Sequence, residues 1–256
     1  MVDAINTASV RGTYALTLSG EGGSAPLAGI GFIRFDGAGR LSGFWRESRP
    51  GAEYGERVLA EVAYETGYSV TANGTGALTT PGAEEPDGYL AIRSVTRLGG
   101  IAFADELALV FRTLDSATGA LRTATAVRLP DNASFNAASL RGRYLGFAVG
   151  RGGQFPVAGF GAVVYDGEGG FSEENVANVQ GESFRDRRFV ANADRGTYTV
   201  DSDGTGTVAD GGVLLMITRA RLLGDRTIAD AYSFIVRDLA PVNGAQFTGT
   251  VKRLGD

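Results

Sequence analysis

The sequence contains no cysteine, no histidine and only one lysine, Lys252. The lack of cysteine excludes disulfides, thiolate nucleophiles and Cys-ligated zinc or iron–sulfur centres. The lack of histidine excludes Ser-His-Asp and Cys-His catalysis and most transition-metal sites. Any acid–base chemistry must therefore use Asp, Glu or Tyr, with Arg as the fixed cation, and we expect neither a metal site nor a cofactor.

Basic clusters and long apolar runs are absent as well. The net charge is −5, so neither nucleic acid nor an anionic membrane surface is an expected partner. No apolar run approaches the roughly 20 residues of a membrane span, so we expect no membrane insertion. The opening residues, MVDAINTASV, lack the basic and apolar segments of a signal peptide. A mature exported protein would look the same, so the sequence leaves the compartment open between cytoplasm and export.

The chain is a tandem repeat. The phrase NTASVRGTY at residues 6–14 returns as NAASLRGRY at 136–144, and PLAGIG at 26–31 returns as PVAGFG at 156–161. Both pairs are offset by 130 residues. A duplication that covers nearly the whole chain predicts two like domains.

Later in the chain the offset falls to 125, where Ala104-Asp105 corresponds to Ala229-Asp230. The first copy therefore carries five extra residues, which are placed most simply in the loop around Pro81–Gly88. We predict a first domain over residues 1–130 and a second over 131–256.

Each copy has the pattern of short strands. Apolar and polar residues alternate in runs that end at hairpin dipeptides such as Asn73-Gly74 and Asp203-Gly204. The 39 glycines fit a chain with many tight turns. We predict eight or nine strands per copy, which in the first copy span about 10–19, 27–35, 40–48, 56–64, 66–72, 75–80, 88–98, 101–113 and 120–129.

One segment, GERVLAEVAYE at Gly55–Glu65, has the composition of a helix. Its counterpart in the second copy, SFRDRRFVANA, is much less helical, and one structure must serve both copies. We therefore predict a strand there.

Eight or so sequential strands with short turns favour an antiparallel meander closed into a β-barrel, so the fold class is all-β with two tandem barrels. Two β-sandwiches are the alternative. The Arg-Gly-x-Tyr opening and the [Phe/Tyr]-Asp-Gly-x-Gly and Tyr-x-Val-x-x-[Asn/Asp]-Gly-Thr-Gly hairpins resemble uncharacterised bacterial β-barrel proteins. More distantly they resemble calycin and allene-oxide-cyclase-like barrels. That resemblance implies a small apolar ligand held in the barrel, or cofactor-independent cyclisation, but it carries over no catalytic residue.

The two copies differ on the faces that we predict to point inward. The first strand presents Tyr14, Leu16 and Leu18 in copy one, but Tyr144, Gly146 and Ala148 in copy two. A later strand presents Leu41, Gly43 and Trp45 in copy one, but Phe171, Glu173 and Asn175 in copy two. Because a Trp contributes roughly 150–250 Å² of buried surface, its loss predicts a hollow second barrel beside a filled first one.

The same alternation of inward and outward side chains makes a prediction about the outer face, which depends on the strand register. Leu145, Phe147 and Val149 would form an apolar outer face that needs cover from the first barrel or from a second chain in a homodimer. A slipped register or a β-bulge would exchange the two faces, and a differently packed but solid second barrel is then the alternative.

The candidate site residues belong to the second barrel. Glu173, Asp230 and Tyr232 are the candidate acid–base set, and Tyr144, Asn175 and Tyr198 are the candidate ligand-binding residues. Both copies keep the aspartate, as Asp105 and Asp230, which also fits a structural pair with an interior arginine such as Arg34 or Arg93.

Three functions remain open from sequence. The first is binding of a small apolar or amphipathic organic molecule inside the second barrel. The second is a cofactor-independent cyclase or isomerase that uses a buried carboxylate there. The third is a non-catalytic structural or interaction module with two solid barrels.

Overall fold

The computed structural model describes residues 4–22, 26–50, 56–112, 119–152, 157–180, 186–239 and 244–255. Apart from two short 3-10 helices, Thr7–Ser9 and Ala137–Leu140, its regular structure consists of strands. The first copy contains β1 (Arg11–Glu21), β2 (Leu27–Asp36), β3 (Arg40–Pro50), β4 (Arg57–Val70), β5 (Thr75–Thr79), β6 (Gly88–Leu98), β7 (Ile101–Phe111) and β8 (Leu121–Arg128). The second contains β9 (Gly142–Arg151), β10 (Val157–Tyr165), β11 (Gly170–Gln180), β12 (Arg187–Val200), β13 (Thr205–Val208), β14 (Val213–Leu223), β15 (Arg226–Val236) and β16 (Gln246–Arg253). No helix in these described ranges has the length and apolar character to cross a membrane.

Each copy forms one closed eight-stranded antiparallel barrel in which neighbouring strands follow one another in sequence. The first barrel closes where β1 pairs with β8, and the second where β9 pairs with β16. The register is conserved: Leu16 lies opposite Ala126, as its counterpart Gly146 lies opposite Val251. The predicted all-β class and the tandem meander barrels are confirmed, and the sandwich alternative is not formed.

The chain divides into two compact units. The first consists of Met1–Glu47 and Ala60–Asp131, and the second of Ser48–Leu59 and Asn132–Asp256. Residues 48–59, which include the last residues of β3 and the first of β4, thus belong to the second unit. The domain boundary at 130/131 stays a prediction from the repeat.

One strand is longer than predicted. The expected strands 56–64 and 66–72 are a single strand, β4, and the helical alternative for Gly55–Glu65 is wrong over the described residues from 56 onward. Gly67 causes no break because its backbone stays extended and pairs with Thr79. β12 is equally long, so one conformation does serve both copies.

The repeated Asp-Gly phrase makes a side-chain-supported turn. A carboxylate oxygen of Asp36 accepts the backbone N–H groups of Ala38 and Arg40 at 2.7 and 2.9 Å, and Gly37 has a φ of +78°. Asp166 does the same in the second copy. These hydrogen bonds favour the ionised form, so they lower the pKa of both aspartates. The residues that the copies share therefore specify hairpins.

The extra residues of the first copy lie at the β5–β6 connection, as expected: the loop is four residues longer than its counterpart, and β5 is one residue longer than β13. Residues 80–87 connect β5 to β6, whereas only residues 209–212 connect β13 to β14. Asp87 fastens the longer loop, because its carboxylate accepts the backbone N–H and the hydroxyl of Thr80 at 2.7 and 2.6 Å.

Candidate ligand cavity in the second barrel

The interior of the first barrel is filled. Trp45 points inward and is only 4% exposed, in a core that includes Leu16 and Leu18. Its ring centroid lies 5.8 Å from that of Tyr64 and 6.5 Å from that of Phe111. The predicted orientation of this face is therefore correct, and three aromatic rings occupy the space between the strands.

A carboxylate completes that packing. The side chain of Glu47 is 0% exposed and accepts a 2.6 Å hydrogen bond from Trp45 Nε1. Arg122 Nη2 donates to its other oxygen at 3.3 Å. Because a buried charge is tolerated when it is paired and hydrogen-bonded, the indole and the guanidinium explain how Glu47 can lie inside the barrel.

The second barrel lacks these groups at matching positions. Strand register and the two constant offsets identify the counterparts. Tyr144 keeps the place of Tyr14 and is buried. The replacements that remove bulk or charge are Leu16 by Gly146, Leu18 by Ala148, Trp45 by Asn175, Glu47 by Ala177, Phe111 by Val236 and Arg122 by Phe247.

A cavity of about 270 Å³ lies at these positions. Its volume is close to the lower end of the range for small-molecule sites, roughly 300 Å³. Inward-facing residues that line it include Gly146, Ala148, Asn175, Ala177, Phe234 and Phe247. The absence of the indole and the two leucine side chains thus leaves space that no neighbouring side chain fills.

Glu173 and Asn175 supply polar groups to the cavity wall. The side-chain amide of Asn175 donates to a carboxylate oxygen of Glu173. Asn192, on the neighbouring strand β12, donates in turn to Asn175 Oδ1 at 3.2 Å. Both Glu173 and Asn175 are half-buried, so this network faces the cavity while it remains accessible to solvent.

Tyr232 also lines the cavity, and its hydroxyl shares a 2.8 Å hydrogen bond with that of Tyr165. Burial raises the pKa of both phenols, and the negative charge of Glu173 raises each pKa further. The two phenols therefore stay neutral near pH 7 and act as hydrogen-bonding groups.

Tyr144 and Tyr198, the other predicted ligand-binding tyrosines, do not line the cavity. The hydroxyl of Tyr144 donates to the carbonyl of Ala229 and that of Tyr198 to the carbonyl of Ala137, both at 2.9 Å. Burial raises the pKa of Tyr144 to about 12. Their repeat counterparts make the same kind of bond, since Tyr14 donates to the carbonyl of Ala104 at 2.7 Å. These hydrogen bonds join Tyr144 to β15 and Tyr198 to the 3-10 helix Ala137–Leu140.

Asp230 also lies away from the cavity. Its carboxylate forms a salt bridge with Arg221 on the neighbouring strand, and its side chain is 32% exposed. The expectation of a buried carboxylate is therefore wrong for Asp230, which lies within β15 at a register shift between β14 and β15, where its side chain reaches solvent and Arg221. Of the two arginines proposed as partners, Arg93 pairs with Glu106 instead, at 2.9 Å. Glu173, Asp230 and Tyr232 are not brought together as one set.

Sequence reasoning missed three residues of this region: Asp194, Asn192 and Phe247. Asp194 lies directly opposite Glu173 in the β11–β12 pair, in the place where the first barrel has Tyr64. The offset of 130 residues would have revealed it, had every inward position been compared. Among the described residues, no group of three or more acidic side chains could hold a metal ion.

The outer surface of β9 and β10 is apolar. Leu145 and Phe147 point outward, as predicted, and Phe147 is 57% exposed. Phe160, directly opposite Phe147 on β10, is 61% exposed. A second chain that covers this surface, as in a homodimer, stays a prediction.

Comparisons with known proteins add little to this geometry. No protein-family model and no curated protein sequence matches the chain. A porin-like protein of known structure from Bacteroides uniformis is similar at 10% identity, over 94% of this chain and 96% of that one, with a TM-score of 0.19. A similarity of that size carries no argument about function. The resemblance to calycin and allene-oxide-cyclase-like barrels stays a prediction.

Proposed function

We propose that this protein binds a small apolar or amphipathic organic molecule inside the second barrel. The observation that carries the proposal is the cavity of about 270 Å³ at the positions where the first barrel holds Trp45, Leu16 and Leu18. Its wall combines glycine, alanine and aromatic residues with a few polar groups. That mixture is typical of small-molecule sites, where apolar walls supply affinity and polar groups fix orientation.

The alternative of a cyclase or isomerase has less support. Asp230 is engaged with Arg221 outside the cavity, and the raised pKa of Tyr232 keeps its phenol protonated at neutral pH, so that it is not available as a base. Any proton transfer would rest on Glu173 alone. The module with two solid barrels is disfavoured by the cavity itself.

The binding proposal is tested by refilling the cavity with the residues of the first barrel. We expect the neutral apolar probe tert-butylbenzene to bind the wild-type protein in an NMR titration. The double variant Ala148→Leu, Asn175→Trp copies Leu18 and Trp45, and we expect it to bind at least about tenfold more weakly because the free volume is gone.

Val149→Leu is the matched control, since Val149 neighbours Ala148 but lies on the outer face and should leave affinity unchanged. Native mass spectrometry of the purified wild-type protein, with the filled variant beside it, looks for a bound small molecule. Equal probe binding by the wild-type and filled proteins would contradict the proposal.

A further inference from the structure

The interior of the second barrel has changed in charge as well as in volume. In the first barrel one anion, Glu47, is balanced by one cation, Arg122. Their counterparts in the second barrel are Ala177 and Phe247, which carry no charge. The replacement removes the interior cation and puts an aromatic ring in its place.

Two new carboxylates are present nearby. Glu173 replaces Gly43, and Asp194 replaces Tyr64. These two residues lie directly opposite each other in the β11–β12 pair, so their side chains project from the same face of the sheet. Like charges in that arrangement destabilise a sheet, which makes their joint presence costly without a compensating partner.

The protein supplies no such partner within its described residues. Among these residues no salt bridge joins Glu173 or Asp194 to an arginine, and no cationic residue lines the cavity, although Arg143 and Arg195 share a second pocket of this barrel with both carboxylates. The hydrogen bonds they accept come from neutral groups, the amide of Asn175 and the backbone N–H of Arg195. Burial is the main cause of the raised pKa of Tyr165 and of Tyr232, and the negative charge of Glu173 raises each pKa a little further.

Aromatic rings stand on the other sides of the cavity. Phe234, Phe247 and Tyr232 all contribute to its wall. An ammonium group is attracted both by carboxylates and by the faces of aromatic rings, and the two attractions add when water is displaced. An apolar cavity with this lining and an unbalanced negative edge fits a ligand with an apolar body and one positive charge.

We propose that the ligand of the second barrel is a small organic cation, with its apolar part in the cavity and its ammonium group beside Glu173 and Asp194. This inference rests on the proposed binding function. It narrows the ligand class from any apolar molecule to an amine or quaternary ammonium compound.

The test uses two probes of the same shape, phenyltrimethylammonium and its neutral carbon analogue tert-butylbenzene, with benzenesulfonate as an anion. We expect the cation to bind the wild-type protein at least about tenfold more tightly than the neutral analogue, and the anion to bind most weakly. The preference should shrink at high salt, because Glu173 is only half-buried and Asp194 is exposed.

Charge-neutral variants of similar shape locate the source of that preference. In the double variant Glu173→Gln, Asp194→Asn we expect the cation to lose its advantage over tert-butylbenzene. The control Glu174→Gln removes an equal charge from the exposed neighbouring position, and we expect it to keep the advantage.

The possible failures are distinguishable. If both probes bind equally, or if the preference survives in the double variant, the cationic ligand is contradicted and the apolar binding function stands. If no probe binds, the binding function itself is contradicted, and the cationic ligand with it.

Discussion

In the first barrel Trp45 packs against Tyr64 and Phe111, and its indole N–H donates to the buried carboxylate of Glu47. In the second barrel Asn175 stands in place of that indole beside a cavity of about 270 Å³. The eight strands, their order and their closure are the same in both. The turns, and the hydrogen bonds that the two copies share, therefore specify this barrel. Its interior can be filled in one copy and hollow in the other.

Hydrogen bonds that occur in both copies explain why the hollow copy still forms a barrel. The hydroxyls of Tyr14 and Tyr144 donate to matching carbonyls, and Asp36 and Asp166 hold matching turns. None of these groups reaches into the cavity region. The interior positions where side chains fill space thus differ between the copies, and that is where a ligand would be held.

The largest change in stability is expected when the first barrel is made hollow like the second. Trp45→Asn copies the second barrel and removes a large buried ring, so we expect a loss of about 3–5 kcal/mol in the free energy of unfolding. Urea denaturation measures it. Ser42→Asn, at an exposed position of the same strand, is the control and should change stability by less than about 0.5 kcal/mol. A loss below about 1 kcal/mol for Trp45→Asn would mean that the indole does not support the barrel.

Substitution of the interior carboxylate of the first barrel should have the next largest effect on the free energy of unfolding. Glu47→Gln keeps the shape but removes the charge that accepts from Trp45 and Arg122. Hydrogen bonds to charged groups contribute about 1.5–3 kcal/mol, so we expect a loss in that range by urea denaturation. A change near zero would show that Glu47 is not held as an ion by these donors.

Alkaline pH should destabilise both barrels, because buried tyrosines in each have a raised pKa. Burial raises the pKa of Tyr144 to about 12, and the pKa of Tyr165 and Tyr232 is also raised. Since the phenol of Tyr144 ionises more easily in the unfolded chain, its contribution is intact below pH 10 and is lost as the pH rises from 10 to 12. For Tyr144 the loss is about 1.4 kcal/mol at pH 11.

Urea denaturation at pH 9, 10 and 11, with tyrosinate absorbance recorded in parallel, measures this loss. Tyr144→Phe should flatten the dependence on pH although it also removes a hydrogen bond. The absence of histidine and cysteine leaves few other groups that titrate between pH 7 and 9. Titration of all tyrosines at their ordinary pKa near 10 would contradict the expected burial effect.

The smallest expected effect has the opposite sign. Glu173→Gln removes one of two carboxylates that face each other across β11 and β12. We therefore expect a gain of about 0.2–1 kcal/mol in the free energy of unfolding of the ligand-free protein. Glu47→Gln, the same substitution in the first barrel, should lose stability. Urea denaturation of both variants in one buffer compares them, and a loss of stability for Glu173→Gln would mean that its charge is already balanced within the protein.

Much of the fold could be predicted because its determinants are local. The Asp-Gly and Asn-Gly turns and the alternation of apolar residues indicate strands, and the duplication required one conformation for β4 and β12. The inward orientation of Trp45 and the cavity beside Asn175 also followed from alternation alone.

The rest of the site depends on register shifts and on neighbours across the sheet. Asp230 shares an inward pattern with Tyr232, but it lies at a register shift between β14 and β15, where Arg221 and solvent reach it. Tyr198 has a counterpart, Tyr68, in the first copy, and its hydroxyl donates to the carbonyl of Ala137 in the 3-10 helix. The opposition of Glu173 and Asp194 is visible only once the register between β11 and β12 is known.

Chemical-shift mapping tests most directly whether only the second barrel is hollow. With tert-butylbenzene added to methyl-labelled protein, we expect shifts for Val163, Val236 and Val251, which line the cavity. The buried methyl groups of Leu16, Leu18 and Leu107 in the first barrel should not shift. Equal shifts in both barrels, or none in either, would contradict a filled first barrel beside a hollow second one.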